Sequence, residues 1–249
     1  MAPWRPSRLA IVPFLVCALT AATEIPVMVP AGSAVAELYP LRKDPHGSQG
    51  ALALVADQRL NLGNRRAMQD WYMFGFADPP PVTPPVTTRA LADAELRLVD
   101  GVGATLSSLP LSTPFAALRA VALTGSQLTE FVLETSQGGF GQFTGTYAKP
   151  LVVQGGAIRM LSATDAAGVV EEIVLVRAPK TDWRMVPAAR GQGSEIFQVM
   201  CRPAEGAGDA FGEDYITYRQ EGAIWRKLRR SARGYCVWAD GFPSFSAFP

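Results

Sequence analysis

The acidic side chains are the first residues that could do chemistry, because two carboxylates at a defined separation can hydrolyse glycosidic bonds. Five carboxylates in the second half of the chain are candidates: Glu171, Glu172, Glu195, Glu213 and Asp214. Nothing in their spacing brings two of them to one place, so solvated surface positions are the simpler interpretation. A carboxylate-based hydrolase acting on an envelope polymer is kept as the alternative function.

The single histidine argues against a serine triad, which needs a histidine base. His46 stands in Asp44-Pro-His-Gly-Ser, a sequence typical of a surface turn. The chain has no Gly-x-Ser-x-Gly elbow and no phosphate-binding loop ending in lysine and a hydroxyl residue. We therefore predict no catalytic residue, no metal centre and no cofactor.

A glycine-rich acidic loop runs from residue 205 to residue 214. Calcium prefers several oxygen ligands on such loops, and the loop offers four acidic residues: Glu205, Asp209, Glu213 and Asp214. Their spacing matches neither an EF-hand loop nor a nonapeptide repeat. A solvated hairpin loop is favoured over a calcium loop.

Positive charge is densest just after this loop. Six basic side chains stand close together there: Arg219, Arg226, Lys227, Arg229, Arg230 and Arg233. Only Glu221 and Asp240 oppose them between residues 215 and 249, so the local balance is about +4. This patch could contact an anionic surface such as lipopolysaccharide, a teichoic polymer or an acidic partner. The sequence favours the other interpretation, an edge strand that charge protects from pairing.

The first 22 residues resemble a secretory signal. Arg5 and Arg8 precede a short apolar run over residues 9–18, and small residues follow at positions 20–22. We expect a periplasmic or secreted protein without a stable membrane span once the signal is removed. Loss of the two arginines changes the formal charge from +1 to about −1. An exported chain with this balance is not expected to bind nucleic acid.

Export changes the interpretation of the cysteines. Cys17 lies within the signal, which leaves Cys201 and Cys236 in an oxidising compartment. A disulfide between them is favoured, with two buried thiols as the alternative.

The elements that would position these residues are mostly strands. Twenty prolines and 23 glycines favour turns over long helices. Residues 215–228 predict a hairpin that turns at Glu221-Gly222, since both flanks are rich in aromatic and β-branched residues. The predicted fold is mostly β, an antiparallel sandwich or small barrel with one or two short helices.

Several segments have more particular predictions. A half-buried strand is expected over residues 51–63, a central strand within residues 169–177, and an aromatic tail against a sheet edge at residues 240–249. Ser112 before Pro114 predicts a helical turn, whereas residues 126–135 fit helix and strand equally well.

The predicted organisation has three parts. Residues 1–22 form the signal, residues 23–50 an extended leading segment, and residues 51–249 one β-rich domain with a proline-rich loop or linker at residues 79–88. The favoured function is a non-catalytic exported protein that binds a partner, either a protein or a cell-envelope component. The ligand and the oligomeric state stay open.

Overall fold

The computed structural model describes residues 25–41, 50–60, 91–125, 129–136, 145–188, 193–203, 211–234 and 241–249. These residues form fifteen strands and one 3-10 turn at Phe245–Ala247, arranged as three open sheets without a closed barrel. The prediction of a mostly β fold is confirmed. Of the two predicted architectures, a sandwich and a small barrel, the described strands form packed sheets and not a closed barrel. His46 and the proline-rich segment at residues 79–88 lie outside the described residues.

The first sheet contains four antiparallel strands in chain order: β1 (Ser33–Pro40), β2 (Ala51–Asp57), β3 (Glu95–Val99) and β4 (Thr105–Pro110). Strand β2 is buried along its whole length. The predicted half-buried strand is therefore wrong in one respect, because Ala51, Ala53 and Val55 make the second face apolar as well. The strand ends at Asp57, whose carboxylate accepts hydrogen bonds from Arg59 and from the Ala92 N–H.

The second sheet has five strands: β5 (Phe115–Val121), β6 (Thr129–Ser136), β7 (Thr146–Gln154), β8 (Ala157–Met160) and β11 (Leu175–Arg177). The predicted helical turn at Ser112 is wrong. Ser112 has a positive φ of 53°, and the following residues pair with β6 along their whole length. Strand pairing with a buried partner outweighs a local capping signal. Of the ambiguous segment, residues 129–135 belong to strand β6, and residues 126–128 lie outside the described residues.

The third sheet runs in the order β10-β9-β15-β14-β13-β12. Its members are β9 (Ser162–Thr164), β10 (Val170–Glu172), β12 (Thr181–Pro187), β13 (Ser194–Pro203), β14 (Phe211–Glu221) and β15 (Ile224–Gly234). The predicted central strand within residues 169–177 is wrong. The run divides at Ile173, so that β10 and β11 lie at the edges of two different sheets.

The second sheet is the middle layer of the molecule. On β6, Phe131 and Leu133 pack into a core with the first sheet, whereas Val132 packs into a core with the third sheet. Successive strand residues point to opposite faces, so one strand serves both cores. The inner face of the third sheet is defined here as the face packed on the second sheet, and the outer face as the opposite one.

The hairpin β14–β15 is confirmed, with its turn moved by one residue. Glu221 pairs with Ile224, so Gly222 and Ala223 are the two central residues. Gly222 has a φ of +64° and Ala223 does not share the positive φ, which fits a type II′ turn with glycine first. The shift changes the cross-strand partners by two positions and leaves each side chain on its expected face.

Candidate functional site: an arginine cluster on the third sheet

The register of the hairpin divides the predicted basic patch between two faces. Arg219, Arg226 and Arg230 lie on the outer face, where Arg226 pairs with Arg219 and Arg230 pairs with Tyr215. Lys227, Arg229 and Arg233 lie on the inner face with Trp225. Since alternate strand residues point in opposite directions, six neighbouring charges in sequence do not form one surface.

On the outer face, the described arginines are matched by acidic or aromatic neighbours. Arg219 Nε lies 2.6 Å from a Glu195 oxygen, and Arg226 Nε lies 3.5 Å from a Glu221 oxygen. The Arg230 guanidinium lies 5.2 Å from the centre of the Tyr215 ring. These contacts give the outer face little free positive charge.

The inner face differs at the end of the hairpin away from the turn. There Arg202 on β13 and Arg229 on β15 both bind the carboxylate of Asp214 on β14, and Arg233 lies further along β15 on the same face. We call Arg202, Arg229 and Arg233, with Asp214 and Ser231, the arginine cluster. Three guanidinium groups and one carboxylate give it a formal charge of about +2. The other basic residue of the hairpin on this face, Lys227, is bound to Glu171 at 2.7 Å.

Asp214 is the buried carboxylate that binds Arg202 and Arg229. Its carboxylate is 8% exposed, whereas Arg229 and Arg202 are 52% and 44% exposed. It accepts hydrogen bonds from Arg229 at 2.5 Å, from Arg202 at 3.1 Å and from the Ser231 hydroxyl at 2.6 Å. Burial by itself raises the pKa of Asp214, but the hydrogen bonds from Ser231, Arg229 and Arg202 outweigh it, so the pKa is lowered.

Gly212 makes room for the Arg202 side chain. It stands between Arg202 and Arg233 in the register, on the same face as both. A Cβ atom at Gly212 would lie 3.3 Å from the Arg202 Cζ, closer than ordinary van der Waals contact. The guanidinium therefore lies over a backbone surface that a larger residue would obstruct.

Arg202 was not part of the basic patch predicted from the sequence. It is separated from Arg229 by a whole strand and loop, and only the pairing of β13 with β14 brings it close. The signal that could have found it is parity. In the observed register Arg202 shares the inner face with Met200, Asp214 and Gly212.

The chemistry available to this cluster is anion recognition. Each guanidinium carries five N–H donors in a planar fork that suits two oxygens of a carboxylate, phosphate or sulfate. Asp214 uses only part of this donor set, and the exposed heads of the arginines present the rest to solvent. The arrangement can therefore bind anionic groups.

The described members of the predicted calcium loop point apart. Asp214 lies on the inner face, while the neighbouring Glu213 lies on the outer face and accepts a hydrogen bond from Tyr215 Oη at 2.5 Å. Glu205 and Asp209 lie outside the described residues, so the calcium loop stays a prediction. Among the residues that the structure describes, no group of three or more acidic, histidine or cysteine side chains could hold a metal ion.

The carboxylates considered for hydrolysis each have their own partner. Glu171 and Glu172 lie on β10, bound to Lys227 and Lys149 respectively, and Glu195 is bound to Arg219. A general acid needs a raised pKa, whereas the pKa of Asp214 is lowered. The pKa of Asp57 is also lowered, first by the hydrogen bond from Arg59.

Cys201 lies on the outer face of β13 and is 3% exposed. Cys236 lies outside the described residues, so their bridge stays a prediction. The chain between β15 and the last described segment contains Cys236, and that segment packs on the same face as Cys201.

No family model matches this chain, and neither a curated protein nor a solved structure matches it. In the described part of the chain, no helix has the length and apolar character needed to cross a membrane.

Proposed function

We propose that this protein is an exported, non-catalytic binding protein whose arginine cluster contacts an anionic polymer of the cell envelope. One observation carries the proposal: Arg202 and Arg229, from two strands, bind one buried carboxylate while their side chains stay about half exposed, and the exposed Arg233 lies on the same face. The remaining positive charge and the unused N–H donors fit phosphate or carboxylate groups repeated along a polymer.

Export is the second part of the proposal, and it rests on the apolar run and the small residues of the first 22 positions. The Cys201–Cys236 disulfide is proposed together with export, because disulfides form in oxidising compartments. A bridge would connect the outer face of β13 to the chain that follows β15, and closing a loop of this size would stabilise the fold by roughly 3–4 kcal/mol.

The edge-strand interpretation of the same charges is compatible with binding. Strand β15 pairs with β9 only at Trp225 and Arg226, so from Lys227 onward its second edge has no strand neighbour among the described residues. Arginines there discourage pairing with another chain. They also leave an open, positively charged edge along which an extended polymer can lie.

The test uses the mature chain and two probes, lipopolysaccharide aggregates and a soluble poly(glycerol phosphate). Arg233→Gln is the first variant, because Arg202 and Arg229 also hold Asp214 and their loss could disturb the fold. Each exposed charge-assisted contact is worth up to about 1 kcal/mol, so we expect affinity to fall about fivefold. The double variant Arg202→Gln, Arg233→Gln should fall further.

The matched control is Arg159→Gln, which removes an exposed arginine from β8 in the second sheet. It changes the net charge by the same amount and should leave the affinity within about twofold, since general attraction through net charge is weak and screened. Equal losses in Arg233→Gln and Arg159→Gln would remove the cluster as the binding site. Turnover of either polymer by the wild-type protein would favour the hydrolase alternative.

A further inference from the structure

The outer face of the third sheet is covered by the protein's own last described segment. Residues 241–249, named here the aromatic strap, contain three phenylalanines spaced three apart and no charged residue. Phe248 is 9% exposed, and its ring centre lies 5.2 Å from both Phe197 on β13 and Tyr215 on β14. Both contacts are edge-on, the arrangement that aromatic pairs prefer.

The other phenylalanines of the strap extend this contact. Phe245 lies 4.9 Å from Phe197, and Phe242 stacks on Phe248 at 5.6 Å with 9° between the ring planes. The Arg184 guanidinium on β12 lies 5.1 Å from the centre of the Phe242 ring. The strap is therefore recognised ring by ring, through residues on three strands of the sheet.

Main-chain pairing contributes little to this attachment. The backbone hydrogen bonds described within the strap are internal, from Ala247 to Ser244 and from Phe248 to Phe245. Among the described residues, the hydrogen bond between sheet and strap is the one that the Thr217 hydroxyl donates to the Pro249 carbonyl at 3.1 Å. A segment held by side chains, with Phe245 46% exposed, belongs to the least stably attached parts of a fold.

The charge on this face selects an uncharged occupant. Arg184 is paired with Asp182, Arg219 with Glu195, and Arg230 lies over Tyr215 beside Glu213. With these groups already matched, the face offers aromatic contact and one hydroxyl donor. The strap supplies the matching groups, which are its phenylalanine rings and the Pro249 carbonyl. The identical segment of a second copy of this chain has the same groups.

We infer that the outer face of the third sheet is a binding face for a Phe-x-x-Phe-x-x-Phe segment, occupied in one molecule by its own strap and able to receive the strap of a second copy. Exchange of an identical segment between two copies gives a closed, two-fold dimer. At low concentration the protein's own strap occupies the face, because it is attached to the same chain and binds in an intramolecular step. This inference concerns the face opposite the arginine cluster, so it stands or fails separately from the proposed polymer binding.

The test measures binding of a fluorescent peptide with the sequence of residues 241–249. The host proteins are the full wild-type chain and a strap-released variant carrying Phe242→Ser and Phe248→Ser. In the wild-type chain the strap occupies the face, so the peptide can bind only the fraction of molecules whose face is vacant, and its apparent affinity falls in proportion. The peptide should therefore bind the released variant at least about tenfold more tightly. A peptide carrying Phe248→Ser is the matched control and should bind neither host.

A milder host, Phe242→Ser alone, retains Phe248 and guards against loss of the fold in the double variant. Failure of the peptide to bind a folded, released host would overturn the inference, as would equal binding of the control peptide. Unfolding of both hosts would overturn it as well, because a face that cannot be vacated cannot receive a second strap. At high concentration, the wild-type chain should form dimers that the free peptide dissociates.

Discussion

Gln198 is a polar side chain placed among apolar ones. It lies on the inner face of β13, is 1% exposed, and has Trp183 and Ile216 as its cross-strand neighbours. Neither its amide oxygen nor its amide nitrogen has a hydrogen-bond partner among the described residues. A buried amide without partners lowers stability by about 1–3 kcal/mol.

Replacing this amide by an apolar group of similar shape should stabilise the protein. We expect Gln198→Met to raise the free energy of unfolding by about 1 kcal/mol, measured by chemical denaturation. Gln154→Met, at an exposed position at the end of β7, is the control and should change it by less than about 0.5 kcal/mol. A lower stability for Gln198→Met would mean that the amide is hydrogen-bonded in the folded protein.

Asp214 should make stability depend on pH. Its folded-state pKa is lowered from the ordinary value of 3.8, so its contribution is present above pH 3.8 and is lost as the pH falls through the lowered value. We expect Asp214→Asn to lower the free energy of unfolding by about 1 kcal/mol at neutral pH.

The measurement is a series of denaturation curves for wild type and Asp214→Asn from neutral pH downward. The difference between the two proteins should shrink below pH 3.8, because protonation removes the charge that the arginines stabilise. A difference that grows on acidification would contradict the assigned role of Asp214.

Among the elements, the hairpin β14–β15 determines on which face of the sheet each basic side chain of the predicted patch lies. The turn glycine, Gly222, has a φ of +64° and nothing within 4 Å of the place where a Cβ would stand. Its substitution is therefore a test of backbone conformation alone. Gly222→Ala should lower the free energy of unfolding by about 1 kcal/mol, since left-handed backbone is unfavourable for alanine.

Gly222→Asn should cost less than Gly222→Ala, because asparagine enters the left-handed region more readily. Thermal or chemical unfolding of both variants, compared with wild type, measures the difference. An equal decrease in the free energy of unfolding of both variants would show that the positive φ is not the reason why the turn needs glycine.

Local pattern was enough to predict some elements and not others. The aromatic and β-branched residues within 215–228 and the glycine after Glu221 predicted the hairpin, because both signals lie within a few residues of the turn. The division of residues 169–177 at Ile173 was not predictable in this way. There the chain leaves one sheet for another, and the Ile173 N–H donates a hydrogen bond to the carbonyl of Leu161, which lies between β8 and β9.

The candidate site was likewise predictable only where its residues are close together in the sequence. Charge density alone identified Arg229 and Arg233, which are near each other in sequence. The contribution of Arg202 and the burial of Asp214 depend on the register of β13 against β14, which a single sequence does not specify. The aromatic tail was predicted against a sheet edge, whereas it covers the face formed by Phe197 and Tyr215.

At the largest scale, the three sheets of the described residues form three layers, and the third sheet makes contacts through both of its faces. The inner face completes a core near the turn end of β14 and carries the arginine cluster at the other end, while the outer face holds the aromatic strap. Two contact surfaces of different chemistry therefore lie on one hairpin. Such an arrangement suits a protein that binds rather than one that catalyses, as we propose.

Export and the disulfide can be tested together on the whole chain. We predict that protein recovered from the envelope fraction without reductant begins near Thr23 and has no free thiol, since Cys17 leaves with the signal and Cys201 is joined to Cys236. Intact mass with and without thiol alkylation measures both. A chain that keeps Met1 and alkylates at two or more cysteines would contradict export.

The most direct test of the central claim compares Arg202→Gln, Arg233→Gln with Arg159→Gln on one anionic polymer, poly(glycerol phosphate), at low and at physiological salt. We predict that the double variant loses at least about tenfold in affinity and most of its salt dependence, because the charges that contact the polymer are gone. The Arg159→Gln protein should behave like wild type. Equal affinity and equal salt dependence in all three proteins, each with wild-type stability, would contradict the account.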